Sequence, residues 1–184
     1  MIYFLLLVGL LIIPLLIGIS IYNGLVNKKN TMQEGWSSID VFLKKRNDLI
    51  PNLLETVKGY ATHEKELFEN VTKSRNLVQN ANTVSDQGSA ENALKNSMMN
   101  LFAISENYPD LKANQNFIEM QNELSALEEE IEMARRYYNG TVKDNNIAIE
   151  SFPSNIISNM FNFEKGIFFE IKDASEREPV KVSF

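Results

Sequence analysis

The chain has 184 residues, which is enough for one domain with a modest core and an additional segment. Its formal net charge of −6 argues against a general role in nucleic-acid binding, because such proteins are usually basic. Cysteine is absent, so disulfides, thiol catalysis and cysteine–zinc sites are excluded. The scarcity of glycine and proline favours helices over strands.

An apolar run without any charged residue extends from Ile2 to Tyr22. Its length of about 20 residues is sufficient to cross a bilayer. No basic residue precedes Phe4, and Gly18-Ile19-Ser20 is only a weak cleavage site. The run therefore predicts an uncleaved transmembrane helix rather than a signal peptide, with a kink at Pro14.

The orientation of this helix follows from the neighbouring basic residues. None precedes the run, whereas Lys28 and Lys29 follow it, and Lys44, Lys45 and Arg46 come further on. The positive-inside rule then predicts an amino terminus outside the cell and a body in the cytoplasm.

Residues 24–80 are predicted to form one long helix with an apolar stripe. Apolar side chains recur there at alternating spacings of four and three, which is typical of a helix with one packed face. The stripe consists of Leu25, Met32, Trp36, Ile39, Leu43, Ile50, Leu53, Val57, Tyr60, Leu67, Val71 and Val78. No strong break occurs between Ile2 and Val78, so the anchor and this helix form either one rod or two helices with a joint near Asn23-Gly24.

Lys29 occupies a position on this stripe, as do Arg46 and Glu64. A charged side chain there must be paired or must reach water. We favour a structural interpretation, in which a polar stripe position specifies which helices meet, over a contact with a ligand or a partner.

Pro51 lies inside the same helical pattern. It removes a backbone donor and crowds the carbonyl of Asn47, so we expect a helix kink there. Asn47 and Asp48 can satisfy the backbone groups that are freed. A structural kink is favoured over a hinge or a partner site.

The middle of the chain predicts a turn and a second helix. Residues 80–88 are rich in Asn, Ser, Asp and Gly, which is typical of a turn. Apolar spacing then predicts a helix over residues 89–106 with Ser89 as its N-cap. This helix is expected to run antiparallel to the first and to end before Pro109.

Residues 110–144 predict a third helix with a heptad pattern over about four repeats. Its apolar positions are Phe117, Met120, Leu124, Leu127, Ile131, Ala134 and Tyr138. The flanking residues 128–130 are all glutamates and are expected to be solvated.

Arg135 and Arg136 precede two tyrosines on this helix. Such a pair can bind phosphate or stack on an aromatic ligand. We favour ion pairs with acids on a neighbouring helix, with Glu64 and Asp48 as possible partners.

The last part of the chain, residues 151–184, predicts a tail rich in aromatic residues. A boundary at 151–154 is followed by an amphipathic segment at 156–163 and an extended piece at 167–169. Residues 173–178 are charged, and 179–184 alternate like a strand. This apolar surface must close the bundle or meet the membrane, another subunit or a partner.

His63 is the only histidine, which restricts metal chemistry. A zinc-protease motif starting there would require a histidine at the position of Leu67, and a di-iron bundle requires two histidines. No glycine-rich phosphate loop or G-x-S-x-G motif is present. The sequence therefore predicts no catalytic residue, no metal ligand and no cofactor.

Six stretches of this sequence resemble the LemA family of bacterial membrane proteins. They are YNGLVNKKN (Tyr22–Asn30), WxxIDVxLKxRNDLIPNL (Trp36–Leu53), VKGYAxHE (Val57–Glu64), YPDLKANxNF (Tyr108–Phe117), ARRYYN (Ala134–Asn139) and SFPSNII (Ser151–Ile157). The resemblance implies an amino-terminal transmembrane helix and a mostly helical body that is cytoplasmic or envelope-facing, but no particular reaction. It also implies a possible link to membrane proteases, and a distant magnetosome branch suggests membrane organisation.

The fold class expected from these observations is all-α. Residues 1–24 are predicted to be a transmembrane anchor, 25–150 an elongated antiparallel helical bundle, and 151–184 an amphipathic and extended tail. The expected location is the inner membrane of a bacterium, with a single pass.

The favoured function is a non-enzymatic scaffold that self-associates through its apolar stripes and organises the membrane or a membrane partner such as a protease. The expected partners are thus the lipid bilayer, further copies of the chain and a membrane protein, and not nucleic acid. The alternative is a ligand sensor or accessory subunit of a membrane protease, with Arg46, Arg135 and Arg136 at an anionic pocket.

Overall fold

The computed structural model describes residues 1–170, except for the side chains of residue 2 and residues 4–11. Within this part of the chain there are helices and no strands. The helices are α1 (Ile2–Lys58), α2 (Lys65–Gln79), α3 (Val84–Ser105), α4 (Pro109–Lys112), α5 (Gln115–Glu150) and α6 (Ser154–Met160). The all-α prediction is confirmed for residues 1–170, whereas the charged segment at 173–178 and the strand predicted at 179–184 lie outside the described residues.

The first helix ends at Lys58, so the predicted continuation to Val78 is wrong. Gly59 follows the last helical residue, and glycine loses more backbone entropy in a helix than any other residue. Ala61 donates its backbone N–H to the carbonyl of Val57 at 2.9 Å and is buried in the turn. The buried methyl group holds this turn against the core.

Before that turn, α1 is continuous. It passes through residues 23–24, where a joint was one alternative, and through Pro14 and Pro51. Residues 2–58 are therefore a single helix. The bend expected at Pro51 stays a prediction.

The second predicted helix begins earlier than expected. It starts at Val84, because the Thr83 side chain accepts a hydrogen bond from the backbone N–H of Asp86 at 3.1 Å. Thr83, in extended conformation, is thus the N-cap, and the prediction of Ser89 is wrong.

The third predicted helix is split in two. The short helix α4 has Pro109 in its first turn, where the missing N–H costs nothing. The side chain of Asn114 then accepts from the backbone N–H of Phe117 at 3.0 Å, which caps a new helix. That helix, α5, runs to Glu150, six residues beyond the predicted end at residue 144.

By packing, the described chain divides into two compact units. Unit 1 consists of Met1–Ile39 and Ala134–Phe168, and unit 2 of Asp40–Met133 with Phe169 and Glu170. The helices α1 and α5 each contribute residues to both units. The division into anchor, bundle and tail is a different, functional one and stays a prediction.

Unit 2 contains a continuous hydrophobic core to which α1 to α5 all contribute. Its members are Ile50, Leu53, Leu54, Val57, Ala61, Phe68, Val71, Val78, Ala90, Leu94, Met98, Leu101, Leu111, Phe117 and Leu124. The stripe positions of the sequence supply most of them, so the predicted packed faces of α1 and α5 are confirmed.

In unit 1, α1 packs against α5. The rings of Trp36 and Tyr138 lie 5.4 Å apart, and a Cβ atom on Gly35 would lie only 3.3 Å from the Cα atom of Tyr138. The absent side chain therefore allows the two backbones to approach closely. After α6, the side-chain amide of Asn146 on α5 pairs with both backbone groups of Gly166, at 2.8 and 3.0 Å, and holds the returning chain.

Over the part of the chain that the structure describes, no helix combines the length and apolarity required to cross a membrane. The predicted span, Ile2 to Tyr22, falls partly outside the described side chains, since those of residue 2 and residues 4–11 do not belong to them.

Candidate functional site

A buried ion cluster in unit 2 joins α1, α3 and α5. Arg46 of α1 forms an ion pair with Glu91 of α3, and its Nη1 donates to Oε2 of Glu128 on α5 at 2.8 Å. The side chains of Arg46 and Glu91 are 8% and 5% exposed, whereas that of Glu128 is 51% exposed. Gln87 Nε2 also donates to Glu91 at 2.9 Å. One guanidinium thus fixes three helices relative to one another.

The electrostatics of this cluster are compensated within the chain. Burial lowers the pKa of Arg46, and the carboxylate of Glu128 acts in the opposite direction. Arginine nevertheless keeps its charge at neutral pH, so a buried cation faces two acids. A buried charge is tolerated only when it is paired in this way. The geometry agrees with the structural interpretation of Arg46, as a residue that sets helix register.

Glu91 was not identified from the sequence, although a signal was present. The buried face of α3 follows alternating spacings of four and three, and its first members are polar. The buried residues at these spacings are Gln87, Glu91, Leu94, Met98, Leu101 and Ser105. An acid on the stripe of one helix can pair with a base on the stripe of another, which makes Glu91 a candidate partner of Arg46 without deciding between it and Glu64.

A cavity of about 310 Å³ lies beside the cluster in unit 2. Leu94, Met98, Met99, Phe102 and Leu124 form its apolar wall, and Arg46, Lys95, Gln121, Ser125 and Glu128 form its polar side. This volume is at the lower end for small-molecule sites. Because two carboxylates already compensate Arg46, the cavity offers little attraction to an anionic ligand through this residue.

The acids proposed as partners for the arginines have other surroundings. Glu64 precedes α2 and accepts a hydrogen bond from the Tyr108 hydroxyl at 3.2 Å. Partial burial, together with this carboxylate, raises the pKa of Tyr108. Asp48 is exposed and lines two shallow surface grooves of unit 2. The pairing of Arg135 and Arg136 with these two acids stays a prediction.

The remaining site residues lie in different parts of the structure. Arg135 is half-buried and Arg136 exposed, and both belong to unit 1, whereas Arg46 belongs to unit 2. Pro51 lies within α1 beside the buried Ile50. The anionic pocket made by all three arginines stays a prediction.

The amino-terminal part of α1 exposes a belt of apolar side chains in unit 1. They are Ile12, Ile13, Leu15, Leu16, Ile17 and Ile19. Leu15, Leu16 and Ile17 are consecutive, and each residue of a helix is turned by about 100° from the one before it, so the belt surrounds the helix. A helix that is apolar all round is typical of a buried or a lipid-facing segment.

A second apolar surface in unit 1 belongs to α6, the turn before it and the residue directly after it. We call this the α6 surface. It consists of Phe152, Ile156, Met160 and Phe161, all of which are more than half exposed. Exposed apolar patches of this kind mark interaction sites.

Among the residues that the structure describes, no three His, Cys, Asp or Glu side chains are grouped so that they can hold a metal ion. His63 is exposed in the turn between α1 and α2.

Over residues 1–170, these features define a class of helical protein in which two long helices are joined to a shorter one through a buried arginine–glutamate cluster. The sequence profile of the LemA family matches residues 35–184, and the chain belongs to that family. The resemblance drawn from the sequence motifs is thus confirmed. The match begins after the predicted transmembrane span.

The chain is similar to Protein LemA of Metamycoplasma hominis, with 26% identity over 164 residues, which is 87% of this chain and 72% of the relative. It is also similar to Magnetosome protein MamQ of Magnetospirillum gryphiswaldense and Magnetosome protein MamQ 1 of Paramagnetospirillum magneticum. The sequence identity is 23% in both cases, and each alignment covers 84% of this chain. The chain spans 66% of the length of these two relatives.

Proposed function

We propose that this chain is a non-enzymatic, single-pass protein of a bacterial inner membrane, anchored by residues 2–22. The observation that carries the anchor is the apolar belt of α1. Each Å² of apolar surface left in water costs about 25 cal/mol relative to an apolar environment. A bilayer supplies that environment on all sides of the helix at once, as the belt requires.

The proposed topology places the amino terminus outside and the body in the cytoplasm. It is supported by Lys28 and Lys29, which follow the apolar run directly, and by Lys44 and Lys45 further along α1.

We further propose that the helical body is a scaffold for further copies of the chain or for a membrane partner. The similarity to proteins named for the magnetosome supports a role in membrane organisation. Self-association through the apolar stripes has lost its basis, because Leu43 and Ile50 of α1 and Leu124 of α5 are buried within the chain. Association therefore uses surfaces outside these stripes. The alternative of an anion sensor has less support, since Arg46 is already paired.

The anchor is tested by alkaline carbonate extraction of membranes from cells that express the full chain. We expect wild-type protein in the membrane pellet. Ile12→Lys with Ile13→Lys, at the centre of the proposed span, disfavours insertion by about 3 kcal/mol per lysine and moves the protein to the supernatant. The control, Ile118→Lys with Met133→Lys, changes two exposed apolar residues of α5 and leaves the protein in the pellet. Release of the wild-type protein by carbonate refutes the anchor.

The scaffold is tested separately by the mass of the full-length protein in mild detergent, measured by light scattering with the detergent subtracted. A discrete assembly, or a crosslinked membrane partner, is the expected result. A monomer that crosslinks to nothing in intact membranes contradicts the scaffold and leaves the anchor untouched.

A further inference from the structure

The segment that carries the α6 surface has no charged residue from Ser151 to Phe163. It is nevertheless an ordered element. The buried Ser158 hydroxyl donates to the carbonyl of Ile149 on α5 at 2.9 Å, which ties α6 to that helix. At its end, Asn162 adopts a left-handed φ of 54° and Phe163 N–H bonds to the Ser158 carbonyl at 2.9 Å, forming a Schellman cap. The exposed apolar side chains are therefore presented on a fixed support.

This support lies against the last turns of the proposed membrane span. A Cβ atom on Gly18 would be in van der Waals contact with the Ile157 side chain at 3.7 Å. The ring of Tyr22 lies 4.7 Å from that of Phe161 and 5.7 Å from that of Phe163. From Gly18 to Tyr22 a helix rises by only about 6 Å, which is comparable to the depth of one headgroup region.

We propose that the α6 surface is inserted into the bilayer at the boundary between headgroups and acyl chains, beside the point where α1 leaves the membrane. This inference rests on the proposed anchor. The exposed Phe, Ile and Met side chains match the apolar face of an interfacial element, and such elements bury that face about 5–10 Å into this boundary. Tyr22 and Phe161 add the aromatic side chains that are enriched at this depth.

Continuity with the span favours lipid over a protein partner. Ile157 of α6 and the C-cap residue Phe161 lie against Gly18 and Tyr22 of α1, within the last turn of the apolar run, so a bilayer that surrounds the run reaches α6 as well. A protein partner would have to displace lipid from the same position. The α6 surface thus acts as a second membrane contact that restricts rotation of the anchor about its axis.

The experiment uses the absence of cysteine, which gives each single-cysteine variant one labelling site. Met160→Cys, in the α6 surface, is labelled with an environment-sensitive fluorophore in the full-length protein and reconstituted into vesicles of phosphatidylcholine and phosphatidylglycerol. A lipid with a nitroxide near the top of its acyl chain serves as quencher. Ile17→Cys reports the span, and Ile156→Cys is a second position in the α6 surface.

Tyr137→Cys is the matched control. Its side chain is 51% exposed, compared with 66% for Met160, and it lies beside Gly35. Gly35 is 13 residues beyond Tyr22 on α1, a rise of about 20 Å. We expect severalfold stronger lipid quenching at position 160 than at position 137, together with a blue-shifted emission at 160.

Three results overturn the inference. If the probe at position 17 is quenched and those at 156 and 160 match position 137, the anchor stands and the interfacial contact does not exist. A blue shift at 160 without lipid quenching means that protein covers the α6 surface. If position 17 itself escapes quenching, the anchor fails, and this inference fails with it.

Discussion

The buried ion cluster makes one prediction that can be worked out in detail. Glu91→Gln keeps the shape of the side chain and removes the charge that faces Arg46. The guanidinium remains charged, and its other acid, Glu128, is half in water. The folded state therefore retains a buried cation with incomplete compensation, and the free energy of unfolding must fall.

The magnitude follows from the burial of the two partners. Breaking a buried ion pair by removing one member costs about 3–5 kcal/mol. The amide oxygen of the introduced glutamine still accepts a hydrogen bond, so we expect the lower end, about 3 kcal/mol. Glu128→Gln is the matched control, because it removes the same charge from a position that is 51% exposed, where an ion pair contributes about 1 kcal/mol or less.

The assay is urea unfolding of the full-length protein in mild detergent, followed by far-ultraviolet circular dichroism. The urea midpoints of the wild type, the two single variants and a variant with both substitutions are compared. The comparison is valid where the free energy of unfolding falls equally steeply with urea in all four. The reasoning is refuted if Glu91→Gln costs less than Glu128→Gln, or if the double variant loses no more than the sum of two surface substitutions, about 1–2 kcal/mol.

Four further substitutions test local features of the fold. Gly88→Ala places a Cβ atom against the Glu170 carbonyl oxygen and should destabilise unit 2 by about 1–3 kcal/mol, whereas Gly140→Ala, with nothing within 4 Å, should stabilise α5 by about 0.5–1 kcal/mol. Thr83→Ala removes the N-cap of α3 and should cost about 1 kcal/mol in urea unfolding. Tyr138→Phe removes a hydrogen bond of 2.8 Å to a backbone carbonyl and should also cost about 1 kcal/mol. Burial raises the pKa of Tyr138 above its usual 10.0, so the folded state binds more protons than the unfolded state above that pH, and stability falls as pH rises through this range. Tyr138→Phe should make unfolding less sensitive to alkaline pH.

Each of these has a control or a contradicting result. Equal effects of the two glycine variants would contradict the close contact at Gly88. The control Thr31→Ala removes a threonine whose hydroxyl bonds only to the carbonyl of Asn27 within α1, so the free energy of unfolding should not fall. An equal loss of stability in Thr83→Ala and Thr31→Ala would contradict the cap. If Tyr138→Phe loses stability with rising alkaline pH as steeply as the wild type, groups other than Tyr138 cause that loss.

The periodic parts of the fold could be predicted from the sequence. Phe117, Leu124 and Ile131 recur every seven residues, and each is buried on α5. Periodicity reports which face of a helix is buried, but it is insensitive to a short interruption. The stripe continues on both sides of the turn after Lys58, so the break was hidden by the pattern.

The ion cluster was predictable only in part. Arg46 was identified because it interrupts an apolar stripe, but its partner depends on which helices meet and at which height. Glu128 lay in an acidic run that was expected to be solvated, and its carboxylate is in fact half exposed. Periodicity within one helix contains no information on the relative heights of two helices. For the same reason, Arg135 and Arg136 could not be placed.

The division of unit 1 between two distant stretches of sequence has a consequence for biosynthesis. Its first stretch ends at Ile39 and its second begins at Ala134, so 94 residues (40–133) are made between them. At about 5–20 residues per second, this takes roughly 5–20 seconds. Throughout that interval the α5 and α6 residues of unit 1 do not yet exist, whereas by its end nearly all of unit 2 has been synthesised. Ribosome-bound nascent chains should therefore protect Leu94 from hydrogen exchange before Leu25, and the first part of α1 is the segment most in need of a chaperone.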